Sequence, residues 1–298
     1  MDNTLGGFLQ TRRARIQPEE VGLPAYGRRR VPGLRREEVA QLAGVSVDYY
    51  IRLEQGRGKH VSDAVLDAVA RVLRLDPTEH AHLRDLARPE RAAGGPTGGP
   101  AAGGAQVRPG VRLMLDSMRD TPAFVLGRRM DVLAWNALGD AVNGFTSMTG
   151  PGSDDRAGGG RRPNMARAVF LDPRAAEFYP EWAAVAAETV AYLRLYAGRH
   201  ADDELLAALV GELSVKSADF RRLWADHLVR EKTYGVKRIG HPVAGELEFG
   251  YETLALPGDP DQLLVVYTAP PGSATAERLA VLASWTADRT AADASGLR

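Results

Sequence analysis

No cysteine occurs in the 298 residues. That absence excludes disulfides, thiolate nucleophiles, iron–sulfur clusters and any cysteine-based zinc site. Long apolar runs are also missing. With no stretch of roughly eighteen apolar residues, no membrane span is expected. Met1-Asp2-Asn3-Thr4 shows neither the basic start nor the apolar stretch of a secretory signal, so a cytoplasmic location is expected. Net charge is zero, with 38 Lys and Arg against 38 Asp and Glu. The histidines offer no metal set, since His80 and His82 lie two apart and point to different faces of a helix. HExxH, the P-loop and the GxSxG elbow are absent. The Gly-rich run at 94–104 follows no strand and is interrupted by two prolines, so it is no phosphate cradle. No metal, no cofactor and no enzymatic activity are expected.

The balanced charge conceals an asymmetry. Residues 1–88 hold 15 basic against 12 acidic residues, and residues 10–36 alone hold eight arginines against two glutamates. A cationic stripe of that density is the footprint of a surface that meets phosphates, or else a solvated helix face. Composition changes at Pro89. Gly, Ala and Pro then dominate to about Pro109, a segment too entropic to order itself. The expected division is 1–88, a linker at 89–109, and 110–298. A second Gly/Asp-rich stretch, 150–163, reads as a loop inside the last domain. All four tryptophans lie beyond the linker, which gives that domain the means to build a large core or an aromatic pocket.

The first 88 residues read as five helices: 5–16, 34–43, 47–55, one starting near Ser62, and 77–87. Leu34, Val39, Leu42 and Ala43 are expected to face inward. Gly44 suits the left-handed end of one helix, and Ser46 can cap the next. Two short helices around a Gly-containing turn make a helix-turn-helix, whose second helix enters the major groove.

Gln41-Leu42-Ala43-Gly44-Val45-Ser46, followed by Tyr50, Leu53-Glu54 and Gly56, resembles the phage-repressor (Xre/Cro) helix-turn-helix. The stretches Val31–Ala40 and Val47–Arg57 resemble, more narrowly, the MmyB-like regulators. The resemblance implies double-stranded DNA as partner, with Arg36 gripping a phosphate and Ser46, Val47, Asp48, Ile51 and Arg52 at the DNA-facing end and outward face of the recognition helix. Arg52 can pair bidentately with guanine, contributing roughly 1–3 kcal/mol of discrimination. Asp48 fits two roles, accepting from cytosine or interacting with the helix dipole. Arg28, Arg29 and Arg30 are expected on backbone phosphate or in a neighbouring minor groove, where they position the domain without reading sequence.

Beyond the linker, 123–126 and 131–135 read as a hairpin. Helices are expected at 173–198, 202–212 and 217–227, then strands near 229–239, 246–255 and 262–268, and a final helix at 274–285. The sum is an α+β, PAS-like domain with a five-stranded antiparallel sheet and helices on one face. Asp131–Asn136, Phe170–Pro173, Val210–Ser214, Leu223–His227 and Gln262–Ala269 again resemble the MmyB-like family. The implied ligand is an apolar small molecule, with a fatty acid as the proposed class. Such a ligand needs an apolar tunnel and a cation for its carboxylate. Asn164, Arg167, Arg194 and His227 are candidates for the head; Trp135, Asn136, Phe170, Tyr192, Trp224 and Tyr251 are candidates for the lining. For each of these, plain core packing or an ordinary ion pair remains open. The leading reading is a homodimeric, DNA-binding transcriptional regulator with an effector domain. The alternative keeps the helix-turn-helix and makes the second domain a ligand-free dimerisation or docking module.

Overall fold

A computed structural model gives the architecture and describes residues 4–24, 31–57, 61–88, 106–149, 162–230 and 233–295, the side chains of Thr149 and 287–295 excepted. Arg28, Arg29 and Arg30, and most of the 89–109 and 150–163 segments, lie outside the described residues. The chain opens with α1 (Leu5–Arg15), a 3-10 turn (Pro18–Val21), α2 (Arg36–Ala43), α3 (Val47–Glu54), α4 (Asp63–Val72) and α5 (Pro77–Ala87). Next come α6 (Pro109–Ser117), β1 (Ala123–Gly127), β2 (Val132–Trp135), α7 (Ala137–Asn143), α8 (Phe145–Thr149), α9 (Met165–Leu171) and α10 (Ala175–Phe178). It closes with α11 (Trp182–Arg199), α12 (Glu204–Lys216), α13 (Ala218–Ala225), β3 (Tyr234–His241), β4 (Gly245–Leu256), β5 (Asp259–Thr268) and α14 (Ala274–Ser295).

Contacts group these elements into two compact units: Met1–Gly94 with Val190–Glu231, and Gly95–Thr189 with Lys232–Arg298. Residues 190–231, grouped by the sequence reading with the second domain, thus share their unit with the helix-turn-helix.

In the first unit, Thr4 caps α1, Ser46 caps α3 and Ser62 caps α4, each through its side-chain oxygen. Asp76 and Glu79 form a reciprocal capping box at the start of α5. The core joins Phe8 and Leu9 of α1 to Val39, Tyr50, Leu53, Leu66, Val69 and Leu83, and also takes in Val229 from beyond α13. Leu42 departs from expectation, being 37% exposed. Val39, Ala40 and Ala43 form the inward stripe of α2, and at about 100° per residue Leu42 lies well off its centre.

The second unit is built on one antiparallel sheet in the order β2-β1-β5-β4-β3. Every residue of β1 is buried, the mark of a strand covered on both sides. Val111 and Leu115 of α6 pack on Ala123, Val125, Leu133 and Leu264. On the opposite face Phe124 meets Phe145 of α8 and Tyr267, and Phe249 stacks on Tyr267. Helices therefore cover both faces, not one. The helix expected over 173–198 is broken between α10 and α11. Pro180 interrupts it because it has no N–H and restricts the residue before it. The last helix runs to Ser295, ten residues past Trp285, through a stretch without Gly or Pro.

Candidate functional site

The helix-turn-helix forms as its sequence dictates. Gly44 closes α2 at φ 70°, and its N–H bonds back to the helix. Ser46 Oγ accepts from Tyr49 N at 3.1 Å, so this residue sets the start of the recognition helix. Tyr50 and Leu53 bury the inner face of α3, while Val47, Asp48 and Arg52 stand exposed and Ile51 is half-buried. Arg52 Nε donates to the Asp48 carbonyl at 3.3 Å, lying along its own helix.

Glu54 fixes α3 to α2 and α1. Its buried carboxylate accepts from Arg36 Nη2 at 3.0 Å and from Arg13 Nη2 at 3.3 Å, and Arg13 also donates to the Leu34 carbonyl at 2.6 Å. The hydrogen bond from Arg36 to Glu54, with the charge beside it, raises the guanidinium pKa. With its side chain 47% exposed, Arg36 retains donors for a phosphate at the edge of the helix-turn-helix.

A second buried polar cluster ties α11–α13 to the helix-turn-helix bundle. Arg12 on α1 pairs with Glu79 at 2.9 Å and donates to the His227 carbonyl at 2.8 Å. Arg194 is fully buried. It donates to His227 Nδ1 at 3.1 Å and to the Trp224 carbonyl, and its guanidinium lies 4.1 Å from the Trp224 ring centroid. Arg199 pairs with Asp85 of α5. Two glycines admit this packing: a Cβ on Gly198 would stand 2.5 Å from His82 Cε1, and one on Gly7 would stand 2.6 Å from His227 Cε1. Burial, and then the surrounding arginines, push His82 down to about 3 and His227 to about 4. Burial also lowers Arg194 to about 9 and Arg12 to about 10, and both stay charged at neutral pH.

Of the ligand candidates, Arg194, Trp224 and His227 meet one another in the polar cluster just described, but the ten do not converge on one site. Tyr192, Arg194, Trp224 and His227 belong to the first unit, and Tyr192 packs on Tyr196. In the second unit Asn136 spends its whole amide on the backbone. Oδ1 accepts from Ala123 N and Gly139 N, and Nδ2 donates to the Met118 and Thr121 carbonyls. Asn164 caps α9 through the amide of Arg167 and ties it to Arg129 and Asp131. Trp135 leans on Phe145, Phe170 meets the edge of Trp182, and Tyr251 faces Lys237.

The second unit holds a cavity of about 570 Å³ that none of these ten residues lines. Its walls come from the end of α7, from α8 to α10, from the β3–β4 turn and from α14. Val142, Ala175, Tyr179 and Leu282 are buried there, whereas Met148, Val243 and Trp285 stand 38%, 63% and 50% exposed. The volume is in the range of small-molecule sites, and the lining mixes apolar and aromatic side chains with polar and charged ones. His241 has both ring nitrogens engaged: Nδ1 accepts from the amides of Val243 and Ala244, and Nε2 donates to the Ala141 carbonyl. These lining residues went unmarked in the sequence reading because they come from four distant segments. Only their assembly in the fold makes a site.

Among the described residues, no cluster of His, Asp and Glu suits a metal ion, and no helix is long and apolar enough to cross a membrane. An exposed recognition helix joined to a cavity-bearing α+β unit defines the class, a helix-turn-helix regulator with a ligand-binding domain. Comparison with known families agrees. The chain matches the MmyB-like transcription regulator ligand binding domain over residues 107–282 and a helix-turn-helix domain over residues 4–83. It belongs to the MmyB-like transcription regulators, a family of DNA-binding regulators and not of enzymes. No curated individual protein matches the chain.

Proposed function

We propose that this regulator reads a specific operator through α3, as a homodimer in the cytoplasm, and that an apolar small molecule bound in the 570 Å³ cavity is its effector. The observation that carries the DNA reading is the division of α3, with Tyr50 and Leu53 sealed inside and Val47, Asp48 and Arg52 presented outward. Arg52 reads a guanine edge, Val47 offers an apolar contact to a thymine methyl, and Arg36 positions the domain on phosphate. Arg28, Arg29 and Arg30 add further phosphate contacts. Paired half-sites supply the contacts that a single small bundle lacks. Of the fatty-acid expectation, the cavity supports the apolar half.

Selection from a randomised duplex pool tests the DNA reading. Arg52→Ala should relax base choice at one position, costing about 1–3 kcal/mol of discrimination there. Arg36→Ala should weaken all duplexes alike and reduce the salt slope by about one. Enrichment of no motif at low salt would refute the proposal, and an equal loss of base preference in both variants would refute the division of roles. Native mass spectrometry of the full chain tests the effector. A co-purified apolar compound is expected; a ligand-free mass, with no thermal shift from any apolar compound, would favour the docking module.

A further inference from the structure

The two edges of the sheet in the second unit differ. At one edge β2 is four residues long, and its Val132 N–H donates to the Pro163 carbonyl at 2.8 Å, so a neighbouring segment already pairs with it. At the other, β3 runs for eight residues and pairs with β4 in a register without a bulge. Thr253 N–H donates to the Thr233 carbonyl at 2.6 Å, which makes these two a hydrogen-bonded pair in that register. Antiparallel ladders alternate between bonded and non-bonded pairs. Gly235 and Lys237 therefore bond to β4, whereas the N–H and C=O of Tyr234 and Val236 point to the outer edge. These two residues are 73% and 64% exposed. Farther along, the segment around α10 lies against the strand. Arg238 pairs with Glu181, and a Cβ on Gly240 would stand 2.4 Å from the Glu177 carbonyl oxygen.

An exposed edge with outward N–H and C=O groups is a template for another strand, and proteins that keep such an edge single use proline, a bulge or charge. The stretch Tyr234-Gly235-Val236 has none of these. It is also complementary to itself. An antiparallel two-fold axis at Gly235 sets Tyr234 opposite the partner's Val236 and Val236 opposite the partner's Tyr234, giving aromatic–β-branched cross-strand pairs both ways. Each such pair exchanges both of its N–H···O bonds. The residue that meets its own copy on the axis is Gly235, so no charge there opposes itself. We propose that β3 joins β3 of a second copy along this edge, so that one continuous antiparallel sheet runs through the homodimer. This names the interface of the homodimer proposed above, and rests on that reading.

Sedimentation of the full-length protein over a range of concentrations reads the association, and Val236→Pro tests the edge. Proline removes an N–H that β4 does not use, and edge strands tolerate it at such positions. The variant should weaken dimerisation at least tenfold, with the melting temperature of the dilute protein unchanged. Tyr234→Lys puts a charge on the same edge and should do likewise without altering the backbone. Because the chain has no cysteine, Glu252→Cys carries the only thiol, at an exposed position of β4 opposite Tyr234. In the proposed register the two copies of this position lie about 16 Å apart at the backbone, three strand spacings across and two residues along. Nitroxides attached there should show strong dipolar coupling, which the added Val236→Pro change should remove. A dimer that survives both edge substitutions, or that shows no coupling, would overturn the edge pairing and leave the homodimer standing. A chain that stays monomeric at every concentration, and on a duplex with paired half-sites, would overturn both.

Discussion

Lowering the pH from 7 to 5 should destabilise the first unit through His82. The ring is fully buried, edge-on to Phe8 at 5.2 Å and pressed against Gly198. Burial is the main reason its pKa falls to about 3, and the charges of Arg194, Arg12 and Arg199 and the neighbouring His227 add to it. A histidine in the unfolded chain titrates near the ordinary value of about 6.5. Below that pH the unfolded state takes up a proton that the native state refuses. The stability held by a neutral His82 is therefore fully present above about pH 6.5 and is lost progressively as pH falls toward about 3. Each pH step below 6.5 costs about 1.4 kcal/mol, which amounts to about 2 kcal/mol between pH 7 and 5. His227, lowered to about 4 mainly by burial, acts in the same direction and more weakly because it is partly exposed. Urea unfolding of the full chain at pH 7, 6 and 5, followed by circular dichroism, measures the loss. His82→Leu keeps the apolar packing and removes the proton, so its stability should fall by about 2 kcal/mol less over that range. Identical pH dependence in the two proteins would refute the reasoning.

Other consequences concern single contacts. Glu54→Ala leaves Arg13 buried without its carboxylate and should cost about 3–5 kcal/mol, read as a lowered melting temperature. Gly198→Ala places a methyl against the His82 ring and should destabilise by about 1–3 kcal/mol in urea; a neutral result would mean that α11 and α5 are not in close contact. Asn136→Ala strands the Ala123 and Gly139 amides and should lower stability by about 1–3 kcal/mol for each group left buried, seen as a loss of near-ultraviolet signal from the second unit.

Local chemistry made much of the fold legible. Ser46, Ser62 and Pro77 marked helix starts that the structure reproduces, and the alternation in 246–255 marked β4. These features depend on neighbours within a few residues, where turn and capping energetics decide. At Leu42 the phase of α2 turns an apolar side chain outward, and at Pro180 one missing N–H splits an otherwise helical stretch. Residue type alone does not place a side chain in a pocket. Asn136 and Asn164 are just the residues a polar pocket would use, yet both act as helix caps that pin loops. The residues around the cavity carry no comparable signal in the sequence, because four distant segments bring them together only in the fold.

The ligand-binding family match covers residues 107–282, yet Val190–Glu231 within it folds with the helix-turn-helix. A fragment starting at Gln106 would therefore strip this segment of its partners. Val229 would lose the core it joins, Arg199 would lose Asp85, and the His227 carbonyl would lose Arg12. Arg194 would then hold its charge beside a half-dismantled cluster, an arrangement in which a buried cation is unfavourable. The fragment should melt less cooperatively than the full chain and bind a hydrophobic dye, and residues 1–88 supplied as a separate chain should restore cooperativity. Full cooperativity in the fragment alone, with no gain from the added chain, would show that 190–231 folds without the helix-turn-helix bundle.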